Sequence, residues 1–156
     1  MVDLRVLPAD DPASRTLLAD YFEMRGATFP GQYRPVFPER ATFEPPAGVF
    51  VVVFDDEGEP VGCGGIRRIA DGPAGTRYEV KHLYLAPSTR GRGWGRLLLD
   101  DLERRAREWD AAELVLDTHH TLEAAGGLYA ASGFGEIEPY NDNPNATRWY
   151  GKRLRP

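Results

Sequence analysis

The sequence predicts an α/β domain: a mixed, mostly antiparallel sheet with helices packed on it. Three observations predict it. Apolar runs at 48–54, 61–69 and 77–85 are separated by short turns, the pattern of an antiparallel meander. A helical periodicity over 93–109 leads into a compact apolar segment at 113–118, which lies parallel to its predecessor if the helix is a crossover. A second helical stretch, 122–132, stops at Gly133 and is followed by two further strand-like segments.

The elements follow in order. Residues 4–7 form a short first strand. Asp11-Pro12 then reads as a helix start, with Asp as the cap and Pro at the first helical position. Leu17, Leu18, Tyr21 and Phe22 recur at helical spacing, and Gly26 is the expected stop. Residues 27–47 hold Pro30, Pro35, Pro38, Pro45 and Pro46, which exclude one continuous helix. This segment also carries Phe29, Tyr33, Phe37 and Phe43, which either cover a site or tie the loop to the core. The strand at 48–54 turns through Asp55-Asp56-Glu57-Gly58 into the strand at 61–69. Gly62, Gly64 and Gly65 weaken that second strand unless a neighbouring group must approach its backbone. The strand at 77–85 ends at Pro87. In the 93–109 helix, Trp94, Leu98, Leu102, Ala106 and Trp109 share one face, while Glu103 and Arg107 make an exposed i,i+4 pair. The last strands, near 134–138 and 147–154, flank an Asn/Pro-rich loop.

Composition bounds the function. A chain of 156 residues fits one domain spanning 1–156. No apolar run approaches the length of a bilayer span and the N-terminus lacks a signal pattern, so no membrane role is expected. A single cysteine, Cys63, excludes an internal disulfide framework and suits a reducing cytoplasm. The net charge of −5 argues against nucleic acid as a partner. Three histidines and one cysteine show no ligand spacing, so no metal is expected. Cys63 reads as a small core thiol rather than a nucleophile.

The segment Arg90-Gly91-Arg92-Gly93-Trp94-Gly95-Arg96 lies between a strand and a helix. Its glycines let a backbone approach a ligand, and the free amides and dipole of a helix start favour an anion. Arg90, Arg92 and Arg96 add forked cationic donors suited to phosphate oxygens. The spacing departs from the dinucleotide fingerprint, and the Lys-Ser/Thr of a nucleotide-triphosphate loop is missing. NAD binding is the weaker reading of these glycines.

Arg90-Gly91-Arg92-Gly93-Trp94-Gly95 resembles the R-x-x-G-x-G/A signature of the GNAT superfamily of N-acetyltransferases. Residues 79–87 resemble that family's fourth strand and its exit, and 114–118 resemble its fifth. Ala125 to Phe134, with Leu128, Tyr129 and Gly133, resembles its A-x-x-L-Y-x-x-x-G-F helix and turn. The resemblance covers about 77–135 in order and spacing. It implies a splayed pair of parallel strands, acetyl-CoA as co-substrate, and the pyrophosphate of CoA on the amides of 90–95. It further implies a pantetheine arm along Leu83, Tyr84 or Leu85, one of whose amides polarises the thioester, as an oxyanion hole does.

The reaction so implied is direct transfer of an acetyl group to a primary amine, expected to belong to a small molecule. A peptide N-terminus or lysine is the alternative acceptor, and a non-catalytic acetyl-CoA sensor the alternative class. An alkylammonium titrates near ~10, so a base must take its proton. Glu79 is the first candidate, with Lys81 as a competing ion-pair partner on the same strand face. His82 is the second; alternation sends it to the opposite face unless a bulge intervenes. Tyr129 matches the family's acidic tyrosine. The family commonly has Asn where this chain has Leu122, so His119 or His120 is considered a substitute contact to CoA, with His119 preferred. Phe29, Tyr33, Phe43 and Glu44 are the acceptor-side candidates, Glu44 to attract a cationic amine and the aromatics to contact it. Gly64 and Gly65 are considered as space beside the acceptor. A homodimer is a family-level expectation only.

Overall fold

The run Gly48–Phe54 (β2) explains the architecture, because every residue of it is buried. Its side chains alternate between two cores. Val49, Val51 and Val53 join Leu98, Leu99 and Leu102 on one side. Phe50, Val52 and Phe54 join Leu17, Leu18 and Phe22 on the other. A continuous apolar run is what a strand covered on both faces requires.

The computed structural model describes residues 1–155. The remaining strands are β1 (Asp3–Val6), β3 (Pro60–Gly72), β4 (Gly75–Leu85), β5 (Glu113–Thr118), β6 (Gly135–Glu136) and β7 (Arg148–Arg153). The helices are α1 (Pro12–Thr28), α2 (Trp94–Glu108) and α3 (Glu123–Ala131). The sheet order is β1-β2-β3-β4-β5-β7-β6. Every neighbouring pair is antiparallel except β4 and β5, which α2 joins as a crossover.

Several expectations change. Helix α1 runs past Gly26 to Thr28; Gly26 is helical, and a Cβ there would lie 3.6 Å from Tyr33 Cδ2. The strand expected near 134–138 shrinks to two residues. Glu103 does pair with Arg107 at 3.1 Å, but it also accepts from Lys152 Nζ at 2.7 Å and is mostly buried. The glycines of β3 serve packing. A Cβ on Gly65 would sit 2.7 Å from the ring of Phe43, so Phe43, not an acceptor, fills the space beside Gly65.

Two features of β4 position the site. Its pairing with β5 is limited to Arg77↔Glu113, Tyr78↔Leu114 and Glu79↔Val115. Beyond that, β4 continues to Leu85 and β5 to Thr118 without pairing to each other, which opens a wedge between parallel strands. The second feature is a bulge. Cys63 faces Tyr84 while Gly65 faces Lys81, so β4 carries one more residue than β3 between those pairs. His82 takes up the difference with φ 59°, and its carbonyl accepts from Cys63 Sγ at 3.4 Å.

Candidate active site

A cleft of about 1140 Å³ runs from the 90–96 loop, through the β4–β5 wedge, to a wall made by α1 and the segment 33–43. Its donor end is built from main chain. Gly91 and Gly93 have φ of 80° and 76°, and nothing lies within 4 Å of where their Cβ atoms would be. Gly93 is the left-handed residue that starts α2. The Arg90 amide donates to Pro87 O at 3.3 Å and the Arg92 amide to Thr89 O at 3.4 Å. Among the described residues, the amides of Gly91, Gly93, Trp94, Gly95 and Arg96 have no main-chain acceptor. A diphosphate fits this cradle: it is open, rich in unsatisfied donors and set on the positive end of a helix. Arg90 and Arg96 line the cleft, whereas Arg92 lies over the ring of Trp94 at 5.0 Å. Arg96 is partly engaged by Asp100 at 3.2 Å.

The wedge exposes specific main-chain groups. The Ala86 amide donates back to β3, at Val61 O, over 2.8 Å. Strand alternation then turns the amides of Leu85 and Leu83 to the free edge and that of Tyr84 to β3. Tyr129 reaches the same cleft from α3. Its side chain is buried, its hydroxyl has no hydrogen-bond partner among the described residues, and burial pushes its phenol well above the ordinary tyrosine range.

The bulge decides where His82 points. It joins Glu79 and Tyr84 on the α1 face, with its ring 5.7 Å from Phe22 and 5.9 Å from both Tyr21 and Phe43. Burial, then the positive charges of Lys81, Arg67 and Arg25, push its pKa down to about 3 against the pull of Asp117. Glu79 is not in the cleft. It is 1% exposed; Arg67 donates to one of its oxygens at 2.8 Å and Tyr140 to the other at 2.6 Å. Lys81, expected beside Glu79, pairs instead with Asp117 at 3.2 Å across the wedge.

Asp117, Lys81 and the Asn141–Asn145 loop form a polar cluster; the Asn/Pro-rich loop was expected to rim an acceptor pocket and does line the cleft, whereas its tie to Asp117 was not foreseen. Asp117 accepts from Asn141 Nδ2 at 2.7 Å and Asn143 Nδ2 at 3.2 Å. Burial works to raise its carboxyl, but Lys81 and the two amides together hold it below the usual carboxylate range. Arg25 was missed as well. It occupies the buried stripe of α1 with Leu18 and Phe22, and an arginine at a core position of an amphipathic helix was the available signal.

Of the acceptor candidates, Tyr33 and Phe43 line the cleft. Phe29 does not; its ring packs on Tyr33 at 5.5 Å and His119 at 5.1 Å. Glu44 does not either; it pairs with Arg40 at 3.0 Å in solvent. His119 faces a separate cavity of about 350 Å³ with His120 and Arg148, and bonds Thr121 Oγ1 at 2.8 Å. Leu122 and Thr121 reach the main cleft in its stead. No group of three potential metal ligands occurs among the described residues, and no helix among them is long and apolar enough to cross a membrane.

The arrangement has relatives. The acetyltransferase (GNAT) family model matches residues 15–134. An uncharacterised N-acetyltransferase of Schizosaccharomyces pombe is 31% identical over 140 residues, covering 88% of this chain and 84% of that protein. In fold, the chain is similar to a GNAT-family acetyltransferase of Staphylococcus aureus, with TM-score 0.79, 16% identity and 99% and 100% of the two chains covered. It is also similar to a phosphinothricin acetyltransferase of Sinorhizobium meliloti solved with AcCoA, with TM-score 0.74, 20% identity and 99% and 89% covered. A match spanning the meander, the glycine loop and the α3 turn, together with a relative matched over 84% of its length, makes this chain a member of the GNAT acetyltransferase family and an acyltransferase.

Proposed function

We propose that the protein transfers an acetyl group from acetyl-CoA directly to a primary amine of a small molecule. One observation carries the reading: a single cleft joins unsatisfied helix-start amides, an unpaired strand edge and an unpartnered tyrosine hydroxyl. The amides of 91 and 93–96, with Arg90 and Arg96, hold the pyrophosphate. The edge at Leu83 and Leu85 bonds the pantetheine arm as an added strand would, and the Leu83 amide beside the bulge faces the thioester oxygen. Acetyl-CoA, when bound, supplies the acyl carbon and a thiol leaving group.

The residues of the chain manage the protons. The amine must attack neutral, and the positive charges of Lys81, Arg67 and Arg25 near His82 disfavour an ammonium there. His82 is neutral at working pH and a poor proton store, so it accepts a hydrogen bond from the amine while water takes the proton. Glu79 serves the site indirectly by holding Arg67. The C–N bond forms as the C–S bond breaks, the amine gives up one proton, and the departing sulfur gains one. Thiols titrate near ~8.5, below a buried phenol, so Tyr129 supplies a hydrogen bond to the sulfur and passes a proton on only as it receives one.

The segment 33–43 walls the acceptor end of the cleft, which favours a small acceptor over a peptide chain. The free Tyr129 hydroxyl favours turnover over a sensor role. Thiol release from acetyl-CoA across an amine panel tests the activity, and calorimetric CoA binding to Arg90→Ala/Arg96→Ala tests the cradle. About tenfold weaker binding is expected; undiminished affinity would remove the pyrophosphate assignment.

A further inference from the structure

The acceptor end of the cleft carries Arg25, Arg34, Arg67 and Lys81 against Glu39 and Asp117, so cations outnumber carboxylates there, the reverse of what Glu44 was expected to provide. Of the other basic side chains lining it, Arg67 is matched by Glu79 and Lys81 by Asp117, while Arg34 is exposed to solvent and donates to Gln32 Oε1 at 3.1 Å. Arg25 is different. It is only 7% exposed, lines the cleft, and has no carboxylate partner among the described residues. Its Nη1 donates to Tyr21 Oη at 3.1 Å and its Nη2 to Asn145 O at 2.8 Å. The guanidinium also lies over the Tyr33 ring at 5.3 Å and the Tyr21 ring at 6.0 Å. A guanidinium carries five N–H groups, so three remain without a protein acceptor. Two aromatic rings and a loop carbonyl hold the fork in place, and a fixed, largely desolvated fork matches a carboxylate well. Leaving such a charge unmatched is costly, and a bound anion relieves the cost. Tyr21, which Arg25 holds, packs 5.9 Å from the His82 ring, so the fork stands beside the bulge where the amine is placed.

We propose that the acceptor carries a carboxylate beside its amine, an amino acid or a close analogue, and that Arg25 receives that carboxylate. The inference rests on the acetyl-transfer reading above. It makes peptide termini poor acceptors, because their carboxylate is far from the amine. It also fits a pocket in which cations discourage a bare ammonium ion while a zwitterion brings its own compensating charge.

The test begins with the unaltered protein. Each acceptor amino acid is compared with its methyl ester and its decarboxylated amine by thiol release. The free acid should show kcat/KM roughly 10–100-fold above the other two, chiefly through KM. Arg25→Gln should remove that preference while leaving CoA affinity unchanged, and Arg25→Lys should restore part of it. Equal use of acid, ester and decarboxylated amine by the unaltered protein overturns the inference while leaving acetyl transfer intact. So does an Arg25→Gln loss that falls uniformly on all three, since that is what a brace for the Asn145 loop alone would give. No CoA binding, or no transfer to any amine, overturns the acetyl-transfer reading, and this inference falls with it.

Discussion

The two ends of the cleft are built from different materials. The donor end uses main chain: five unsatisfied amides around Gly93 and a strand edge left free by the wedge. The acceptor end uses side chains drawn from α1, the 33–43 segment, β4 and the Asn141–Asn145 loop. A main-chain site needs only glycines and a helix start, so it is local in sequence. A side-chain site needs residues far apart in the chain, as when Arg25 meets Asn145. The first kind constrains the chain to a motif, and the second leaves it free to vary.

The largest expected effect lies where the two ends meet. Tyr129→Phe should lower turnover by about 100-fold or more, with the KM for acetyl-CoA within about twofold of the original. A near-normal rate would break the assignment of the leaving-group contact. The next prediction concerns the Arg67–Glu79 pair, whose arginine lines the cleft and whose carboxylate is buried behind it. Arg67→Met strands the Glu79 charge with only Tyr140, and should cost about 2–3 kcal/mol by urea titration, less than a fully buried pair because Arg67 is 40% exposed. If Glu79→Gln abolishes turnover while stability and CoA binding hold, Glu79 is the base after all.

The acceptor wall also has a pH signature. His82 is held neutral in the fold, with its pKa about 3 against an ordinary 6.5. The unfolded chain therefore binds more protons between those values. Stability is complete above pH 6.5 and falls as pH drops towards 3, by up to about 1.4 kcal/mol per pH unit. His82→Gln should flatten that slope; an unchanged slope in denaturant titrations at pH 4–6 would show that His82 is not its source. At the donor end, Gly93→Ala forces a side chain into the left-handed region at about 1–2 kcal/mol and should weaken CoA binding several-fold by calorimetry. The smallest effect belongs to a residue outside the cleft: Glu44→Ala should change stability by less than about 0.5 kcal/mol and leave acceptor KM alone.

The same contrast governs what the sequence made legible. The strand meander, the α2 crossover and the 90–96 loop follow from periodicity and glycine placement, and the structure has them. Tyr129 was singled out by its resemblance to the family's L-Y-x-x-x-G-F pattern, and the structure sets it in the cleft. The face of His82 was not legible, because one extra residue in β4 reverses every side chain after it and no residue type marks a bulge. Glu79 was read as either a base or a partner of Lys81, because its actual partners, Arg67 and Tyr140, come from another strand and from a loop far along the chain. Arg25 could have been noticed as a charge in an apolar stripe, but its lack of a counter-ion among the described residues is a fact of three dimensions.

Phe43 seated against Gly65 has a consequence for how such a protein can diversify. The proline-bearing stretch before it is pinned to the sheet at that ring and rests on Phe22 through Tyr33 and Phe37. Substitutions or length changes between those pins alter the acceptor wall without reaching β3 or the glycine loop. On the acetyl-transfer reading, acceptor preference can therefore change in one short tract while the glycine loop stays as it is.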